Sequence, residues 1–275
     1  MYKIVHREIL NPSVKKITIE APDIAAKAKP GQFVVIMIDE KGERIPLTIS
    51  ETGKGTISLV FQEVGFTTRK LGKLNSGDSL LDILGPLGHA AEIINYGTVV
   101  CVAGGVGAAE VLPVAKALKD AQNTVIGILG ARTKNLLILE DQLRANCHKL
   151  YIATDDGSYG QKGLVTDILK GILDSKPGES ESKRPIGLIY AIGPVPMMAA
   201  VSDLSRPYNI KTKVCLNPIM VDGTGMCGSC RVTVDKKIKF CCVDGPDFDG
   251  HQVDFKELSQ RLAAFKSQEQ KTAKL

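Results

Sequence analysis

Apolar and β-branched residues recur in short, closely spaced runs broken by turn signals through the first 94 residues, which read as all-β. Residues 2–9 and 14–21 are β-rich runs. Lys29-Pro30-Gly31 signals a turn before a strand at 32–38, and Lys41-Gly42 another before R-I-P-L-T-I-S at 44–50. Residues 56–64 alternate as a strand, and 78–84 form a further short one. Strands so closely spaced predict a small antiparallel barrel, with one short helix over 67–74.

The pattern changes after Tyr96-Gly97. Residues 98–103 are wholly apolar and run into G-G-V-G at 104–107, then a helical stretch over 108–121. Strands follow at 124–131, 149–153 and 186–192, with helices near 137–145, 164–173 and 197–204. Strands alternating with helices predict a parallel α/β sheet. Residues 176–183, K-P-G-E-S-E-S-K, read as a polar surface loop without assigned function. From Lys213 the pattern changes again. Residues 215–250 are rich in Cys, Gly and Asp and too few to hold a core, so they need a metal or a partner. An amphipathic helix is predicted over 255–265, followed by a frayed tail. The expected fold is β plus α/β: an N-terminal antiparallel β-barrel over 1–94, a parallel α/β nucleotide-binding domain over 95–210, a small segment over 211–250, and a helix and tail over 251–275. No internal repeat is present.

Composition narrows the class. At 275 residues the chain is long enough for about two domains. Apolar residues make up 44% and charged residues 24%, which excludes a disordered or fibrous chain. The stretch between Glu92 and Glu110 carries no charge, but four Gly with Asn, Tyr and Thr make it strand, turn and helix start rather than a membrane span. The N-terminus, M-Y-K-I-V-H-R-E-I, has no apolar signal core, so a cytoplasmic protein is expected. The net charge of +5 fits a solvated surface or a docking face for an acidic carrier protein. Basic residues interleaved with aromatics are missing, and no nucleic-acid partner is expected.

Five of the seven cysteines, Cys215, Cys227, Cys230, Cys241 and Cys242, lie within 28 residues. An odd number in a chain read as cytosolic favours a metal site over a disulfide framework. Asp222-x4-Cys227-x2-Cys230-x11-Cys242 repeats the ligand spacing of plant-type 2Fe–2S ferredoxins with Asp in the first position. Gly223, Gly225 and Gly228 let such a loop wrap a cluster closely. The competing reading is a structural zinc site of Cys227, Cys230, Cys241 and Cys242. Adjacent side chains diverge on an extended backbone, which makes Cys241 and Cys242 awkward partners on one ion. Cys215 reads as a buried strand residue.

The run V-V-C-V-A-G-G-V-G-A-A at 99–109 is a strand entering a glycine turn and a helix, which aims N–H groups at a pyrophosphate. It departs from the Rossmann fingerprint, with Glu110 where a third Gly or Ala is wanted, and a plain tight strand–helix turn remains the alternative.

Taken in order, these motifs resemble the ferredoxin–NADP reductase superfamily. Arg44 with Pro46, Leu47 and Thr48 resembles its flavin motif. Residues 61–68, with Phe61, Gln62, Glu63, Gly65, Thr67 and Thr68, resemble its second flavin loop. Gly85-Pro86-Leu87-Gly88 resembles the turn that closes its barrel. Gly104, Gly105, Val106 and Gly107 resemble its pyrophosphate loop. Gly193-Pro194 with Met197 resembles its C-G-P-x-x-M motif, with Ile192 in place of Cys. The resemblance covers about 1–250 and implies FAD on the barrel, NAD(H) on the α/β domain and a 2Fe–2S appendage. Arg44 and Thr48 would then face the flavin, and Asp222, Cys227, Cys230 and Cys242 would hold the cluster.

Within the superfamily, the order of motifs is similar to electron-transfer subunits of class 1B dihydroorotate dehydrogenase. It is still more similar to small subunits of electron-bifurcating NADH-dependent reduced ferredoxin:NADP⁺ oxidoreductases. Asp222 and R-I-P-L-T-I decide that order. The resemblance implies a heterodimer with a larger flavoprotein carrying 4Fe–4S clusters, and ferredoxin as a carrier in the system. Other subunits of the superfamily, serving hydrogenase or sulfur chemistry, and a zinc-stabilised nucleotide-binding interaction module are the alternatives. Asp155 and Asp156 end the strand where NADP-selective members carry Ser and Arg, which favours NADH over NADPH. Capping of the turn before Gly157 is the other reading of these carboxylates. Arg132 and Lys134 lie after the neighbouring strand, where a phosphate-binding role stays open.

Overall fold

The structure is a computed structural model that describes residues 1–175 and 185–264. The chain forms two compact units. Of the described residues, one combines Met1–Ala91 with Leu216–Pro246 and 254–264, and the other combines 92–175 and 185–215 with Asp247–Val253.

In the first unit, seven strands make one antiparallel sheet: β1 (Tyr2–Asn11), β2 (Val14–Glu20), β3 (Phe33–Met37), β4 (Arg44–Gly53), β5 (Thr56–Gln62), β6 (Ser79–Leu80) and β7 (Asp82–Leu87). Their order is β6-β1-β2-β5-β4-β3-β7. Leu81 alone separates the two edge strands in sequence, so the sheet nearly closes on itself as the predicted barrel. The strand expected over 78–84 is split here. The Leu81 N–H donates to Met37 and Ile38 carbonyls at 3.1 Å, turning the chain from pairing with β1 to pairing with β3. The inward set of the alternating pattern, including Ile4, Ile17, Ile19, Val34, Ile57 and Leu59, forms the core. Helix α1 (Pro22–Ala25) closes one connection. Helix α2 (Phe66–Leu71) stops short of the expected 74, because Gly72 caps it.

The second unit holds β8 (Thr98–Gly104), β9 (Thr124–Ala131), β10 (Lys149–Thr154), β11 (Gln161–Lys162), β12 (Ile186–Ile192) and β13 (Thr212–Cys215) in a parallel sheet. Its helices are α3 (Gly107–Asp120), α4 (Glu140–Asn146), α5 (Val165–Asp174) and α6 (Val195–Ser205). Every residue of β8 is buried, as a strand covered on both faces requires. Strand β13 escaped the sequence reading, although its last residue, Cys215, is the buried strand residue expected.

Residues 216–264 contain the hairpin β14 (Arg231–Val234) and β15 (Lys237–Phe240), one turn of helix α7 (Cys241–Asp244), strand β16 (Asp247–Asp249) and helix α8 (Phe255–Leu262). Strand β16 joins the second unit's sheet antiparallel to β13, giving the order β11-β10-β9-β8-β12-β13-β16. The loop expected at 176–183 and the tail after 264 lie outside the described residues, as does the end of the helix expected over 255–265.

Strand β16 is fastened by a buried contact. The Tyr190 hydroxyl on β12 lies 2.9 Å from both carboxylate oxygens of Asp247. Burial outweighs this bond and the nearby Lys213, and pushes the Asp247 carboxyl up to about 6. A carboxyl raised on folding contributes stability that is present below its unfolded pKa and lost as pH rises through the folded one. Relative to Asp247→Asn, the native protein should therefore gain stability on acidification from about pH 6 to pH 4, by up to about 3 kcal/mol. Denaturant unfolding of both proteins, followed by circular dichroism across that window, measures the difference. A difference independent of pH would show that Asp247 is not raised.

Candidate functional site

Two motifs of the second unit meet in space. The sheet order runs outward from β8 through β9 and β10 on one side, and through β12 and β13 on the other. The β8–β12 boundary is thus a topological switch point, where α/β sheets bind ligands beyond the carboxyl ends of their strands. Gly104–Gly107 follows β8, and Gly193, Pro194 and Met197 follow β12. A Cβ on Gly107 would lie 2.4 Å from the Ile192 carbonyl oxygen. The first turn of α3 therefore sits against the end of β12, at a distance only glycine permits. Gly104 and Gly193 are both covered by the Met197 side chain. At Gly105 nothing lies within 4 Å, so the loop opens there. Val106 is the N-cap of α3, and the Ala108 and Ala109 N–H groups donate to the Gly105 and Val106 carbonyls at 3.2 and 3.0 Å.

Asp155 and Asp156 follow β10 at the same end of the sheet, and the structure separates their roles. Asp156 Oδ1 accepts the Ser158 N–H at 2.9 Å and the Ser158 hydroxyl at 2.6 Å, which holds its carboxyl below the usual range. It caps the turn before Gly157. The Ser158 hydroxyl also accepts the Lys134 N–H at 2.8 Å. Asp155 is exposed.

In the first unit, Thr67 Oγ1 donates to Glu43 Oε2 at 2.7 Å, which sets the start of α2 beside the start of β4 and so beside Arg44. Arg44 pairs with Asp82 at 3.3 Å and is about one-third exposed. Pro46, Leu47 and Thr48 pair with Val35, Val34 and Phe33 along β3. Gly65 is the N-cap of α2, and Thr68 Oγ1 accepts the Val64 and Gly65 N–H groups at 3.1 and 3.0 Å. Gln62 ends β5. Glu63 forms an ion pair with Lys15 at 2.5 Å, and the Phe61 side chain fills the core at 2% exposure.

The cysteine-rich loop places its donors in two pairs. Cys230 and Cys242 are buried, with sulfurs 3.2 Å apart. Burial and the neighbouring Cys230 push the Cys242 thiol up to about 12. Asp222 accepts the Thr224 N–H at 2.7 Å and the Cys227 N–H at 2.8 Å, which hold its carboxyl low. Cys227 is exposed, and its thiol is lowered chiefly by Ser229. Cys241 is fully buried, and its sulfur points instead at the Leu216 carbonyl, 3.6 Å away. One turn of α7 thus sends the adjacent cysteines in different directions. Among the described residues, no three of the His, Cys, Asp and Glu side chains stand close enough to share one metal ion. The zinc set read from sequence loses Cys241 on these grounds. A two-iron cluster asks instead for a pair of donors at each iron; the Cys230 and Cys242 sulfurs stand as such a pair, and Asp222 is tied to Cys227 through the Cys227 backbone N–H. The soft thiols suit iron–sulfur chemistry.

Residues 217–254 match the family model of the iron–sulfur cluster binding domain of dihydroorotate dehydrogenase B. The electron transfer subunit homolog of dihydroorotate dehydrogenase B (NAD(+)) from Thermotoga maritima is 46% identical over 94% of this chain and 93% of its own length. The chain belongs to this family of electron transfer subunits. A chain of the NADH-dependent reduced ferredoxin-NADP oxidoreductase, whose structure was described for flavin-based electron bifurcation, superposes with a TM-score of 0.92. It is 43% identical and covers 100% of this chain and 97% of its own. The ferredoxin reductase of carbazole 1,9a-dioxygenase, at 18% identity and a TM-score of 0.62 over 76% of this chain, shares the fold alone.

Sequence reasoning missed several contacts in this electron transfer subunit. Glu43–Thr67, Tyr190–Asp247 and Arg261–Ser229 each join residues far apart in sequence, so no local pattern announces them. Ser205, His251 and Asp249 resemble a hydrolytic triad, with Ser205 Oγ 2.9 Å from His251 Nε2. Ser205 is fully buried, however, and Asp249 stands 3.9 Å from Nδ1. The group fastens α6 to the turn after β16 and has no room for a substrate.

Gly107→Ala should force the glycine loop away from β12 and destabilise the protein by about 1–3 kcal/mol. Gly171→Ala, on the open face of α5, should instead be neutral or stabilise by up to about 1 kcal/mol. Thermal unfolding of the two variants checks the contrast. Equal effects would remove the close approach at Gly107.

Proposed function

We propose that this electron transfer subunit passes electrons between NAD(H), FAD and a 2Fe–2S cluster, to or from a larger flavoprotein subunit. We further assign it to an electron-bifurcating system linking NADH, NADPH and ferredoxin. The likeness along the full length to the NADH-dependent reduced ferredoxin-NADP oxidoreductase chain carries this reading, and Asp222 beside Cys227 agrees with it. The second reading is service to a dihydroorotate dehydrogenase, favoured by the family model and the Thermotoga maritima relative. The complex purified with its large subunit should couple NADH, reduced ferredoxin and NADP⁺. Dihydroorotate-dependent NAD⁺ reduction without ferredoxin turnover would favour the second reading. A cytoplasmic site of action is consistent with the lack, among the described residues, of any helix long and apolar enough to cross a membrane.

When bound, the flavin supplies hydride exchange with the nicotinamide and single-electron exchange with the cluster. The chain's own residues hold and orient the groups. Arg44 faces a flavin phosphate as a bidentate donor and exchanges its Asp82 partner for it. Thr48, flanked by Pro46 and Leu47, hydrogen-bonds the flavin from β4. Gln62, Gly65, Thr67 and Thr68 line the loop beside it, with Thr67 fixed by Glu43. Gly104, Gly105, Val106 and Gly107 present the start of α3 to the coenzyme pyrophosphate, favoured by the helix dipole. Gly193, Pro194 and Met197 wall the opposite side. Asp222, Cys227, Cys230 and Cys242 hold the cluster. Ile192, where simple reductases of the superfamily have Cys, brings no titratable group to the nicotinamide.

Ligand assignment predicts opposite outcomes for two adjacent cysteines. Cys241→Ser should keep the iron content and visible spectrum, whereas Cys242→Ser should lose or degrade the cluster. The reverse pattern of iron contents would overturn the assignment.

Coenzyme choice falls to Asp155, because Asp156 is engaged by Ser158. The Asp155 carboxylate accepts from a free ribose 2′-hydroxyl and repels a 2′-phosphate. NADH should bleach the flavin with at least about tenfold higher efficiency than NADPH, equivalent to about 1.4 kcal/mol. Asp155→Ser should shrink that ratio, and Asp155→Ser with Asp156→Arg should move it toward NADPH. Stopped-flow flavin bleaching measures it, and equal rates for both coenzymes in the native protein would contradict the assignment.

A further inference from the structure

Ser229 lies between two of the cluster donors, Cys227 and Cys230. Its hydroxyl oxygen is 3.0 Å from Cys227 Sγ. Between a free thiol and a hydroxyl either group can donate. A thiolate bound to iron has no proton, so only the Ser229 hydroxyl can donate there. Cys227 is the exposed donor, while Cys230 and Cys242 are buried. The Ser229 side chain is the chief influence on the Cys227 sulfur, ahead of the Asp222 carboxylate and the neighbouring backbone N–H groups. A hydrogen bond to a ligand sulfur stabilises the more negative, reduced centre and raises its reduction potential.

The Ser229 peptide is itself held from outside the loop. Arg261 Nη2 donates to the Ser229 carbonyl at 3.0 Å. Arg261 stands in the last turn of α8, beyond the residues 217–254 matched as the iron–sulfur domain. Helix α8 is firmly placed. Asp254 caps it by accepting the Glu257 N–H at 2.9 Å, the Asp254 N–H donates to the Thr233 carbonyl of β14 at 2.9 Å, and Leu258 is buried. The guanidinium leaves the Ser229 side chain free to point at Cys227.

We propose that Ser229 tunes the reduction potential of the 2Fe–2S centre through its hydrogen bond to Cys227, and that Arg261 of α8 is the positioning residue that holds Ser229 for this task. The inference rests on the iron–sulfur reading above. It makes the C-terminal helix part of the redox centre rather than a covering element.

Redox titration of the cofactor-loaded full chain, followed by electron paramagnetic resonance, tests it. Ser229→Ala should keep native iron content and lower the equilibrium for reduction by up to about tenfold, about 59 mV for one electron. Ser229→Thr, which keeps the hydroxyl, should restore the native potential. Arg261→Ala should shift the potential in the same direction in the native background and add nothing to Ser229→Ala. An unchanged potential in Ser229→Ala, or loss of iron from it, would overturn the role of Ser229. A full Arg261→Ala shift in the Ser229→Ala background would overturn the positioning role, since the guanidinium would then act as a separate charge. A native chain with no reduced-cluster signal and no labile sulfide would instead remove the iron–sulfur reading itself.

Discussion

Thirty-odd residues rich in Gly, Cys and Asp cannot bury enough apolar surface to fold alone, and Leu216–Pro246 must lean on something larger. It leans on the barrel. A Cβ on Gly223 would lie 2.7 Å from Leu87 Cδ1 and 2.9 Å from Val35 Cγ2, so the loop carrying Asp222 rests directly on β7 and β3. Gly88 is equally close to Pro246 and to the Gly245 carbonyl, and the His89 N–H donates to that carbonyl at 2.7 Å. The Leu216 N–H closes the segment on the Pro246 carbonyl at 3.0 Å. With the two ends joined and the middle seated on strands, the segment is held in place without a core of its own. A side chain at Gly223 would lift the loop off its support.

The second unit solves a similar problem with a parallel sheet. The central strands β8, β9 and β12 are buried on both faces, and the parallel strands end at one edge, so the loops after β8, β10 and β12 open in one direction. The same close packing that brings Gly107 onto β12 leaves Gly105 open. Rigidity under the loop and access above it arise from one arrangement. Asp156 caps the next loop through Ser158 and leaves Asp155 exposed beside it.

Long elements were legible in the sequence. The apolar runs at 98–103, 124–131 and 186–192 became β8, β9 and β12 within a residue at their ends, because two-sided burial leaves no choice of face. Strands β13, β14, β15 and β16 were not legible, because each has three or four residues and owes its form to pairing rather than to local pattern. Donor spacing pointed to Asp222, Cys227, Cys230 and Cys242. The helical turn that parts Cys241 from Cys242 could be known only from the fold. Likewise, Asp155 and Asp156 are chemically alike in sequence, and only the turn at Ser158 tells them apart. Arg261 gave no signal at all, since its partner is 32 residues away on another element.

One chain carries a two-electron flavin and a one-electron iron–sulfur centre, both reducible from NADH. Anaerobic reductive titration of the purified subunit, with iron, sulfide and flavin quantified on the same sample, tests it most directly. About two irons and about one FAD per chain are expected, with an uptake of about three electrons. A colourless protein holding about one zinc and taking up no electrons would contradict it.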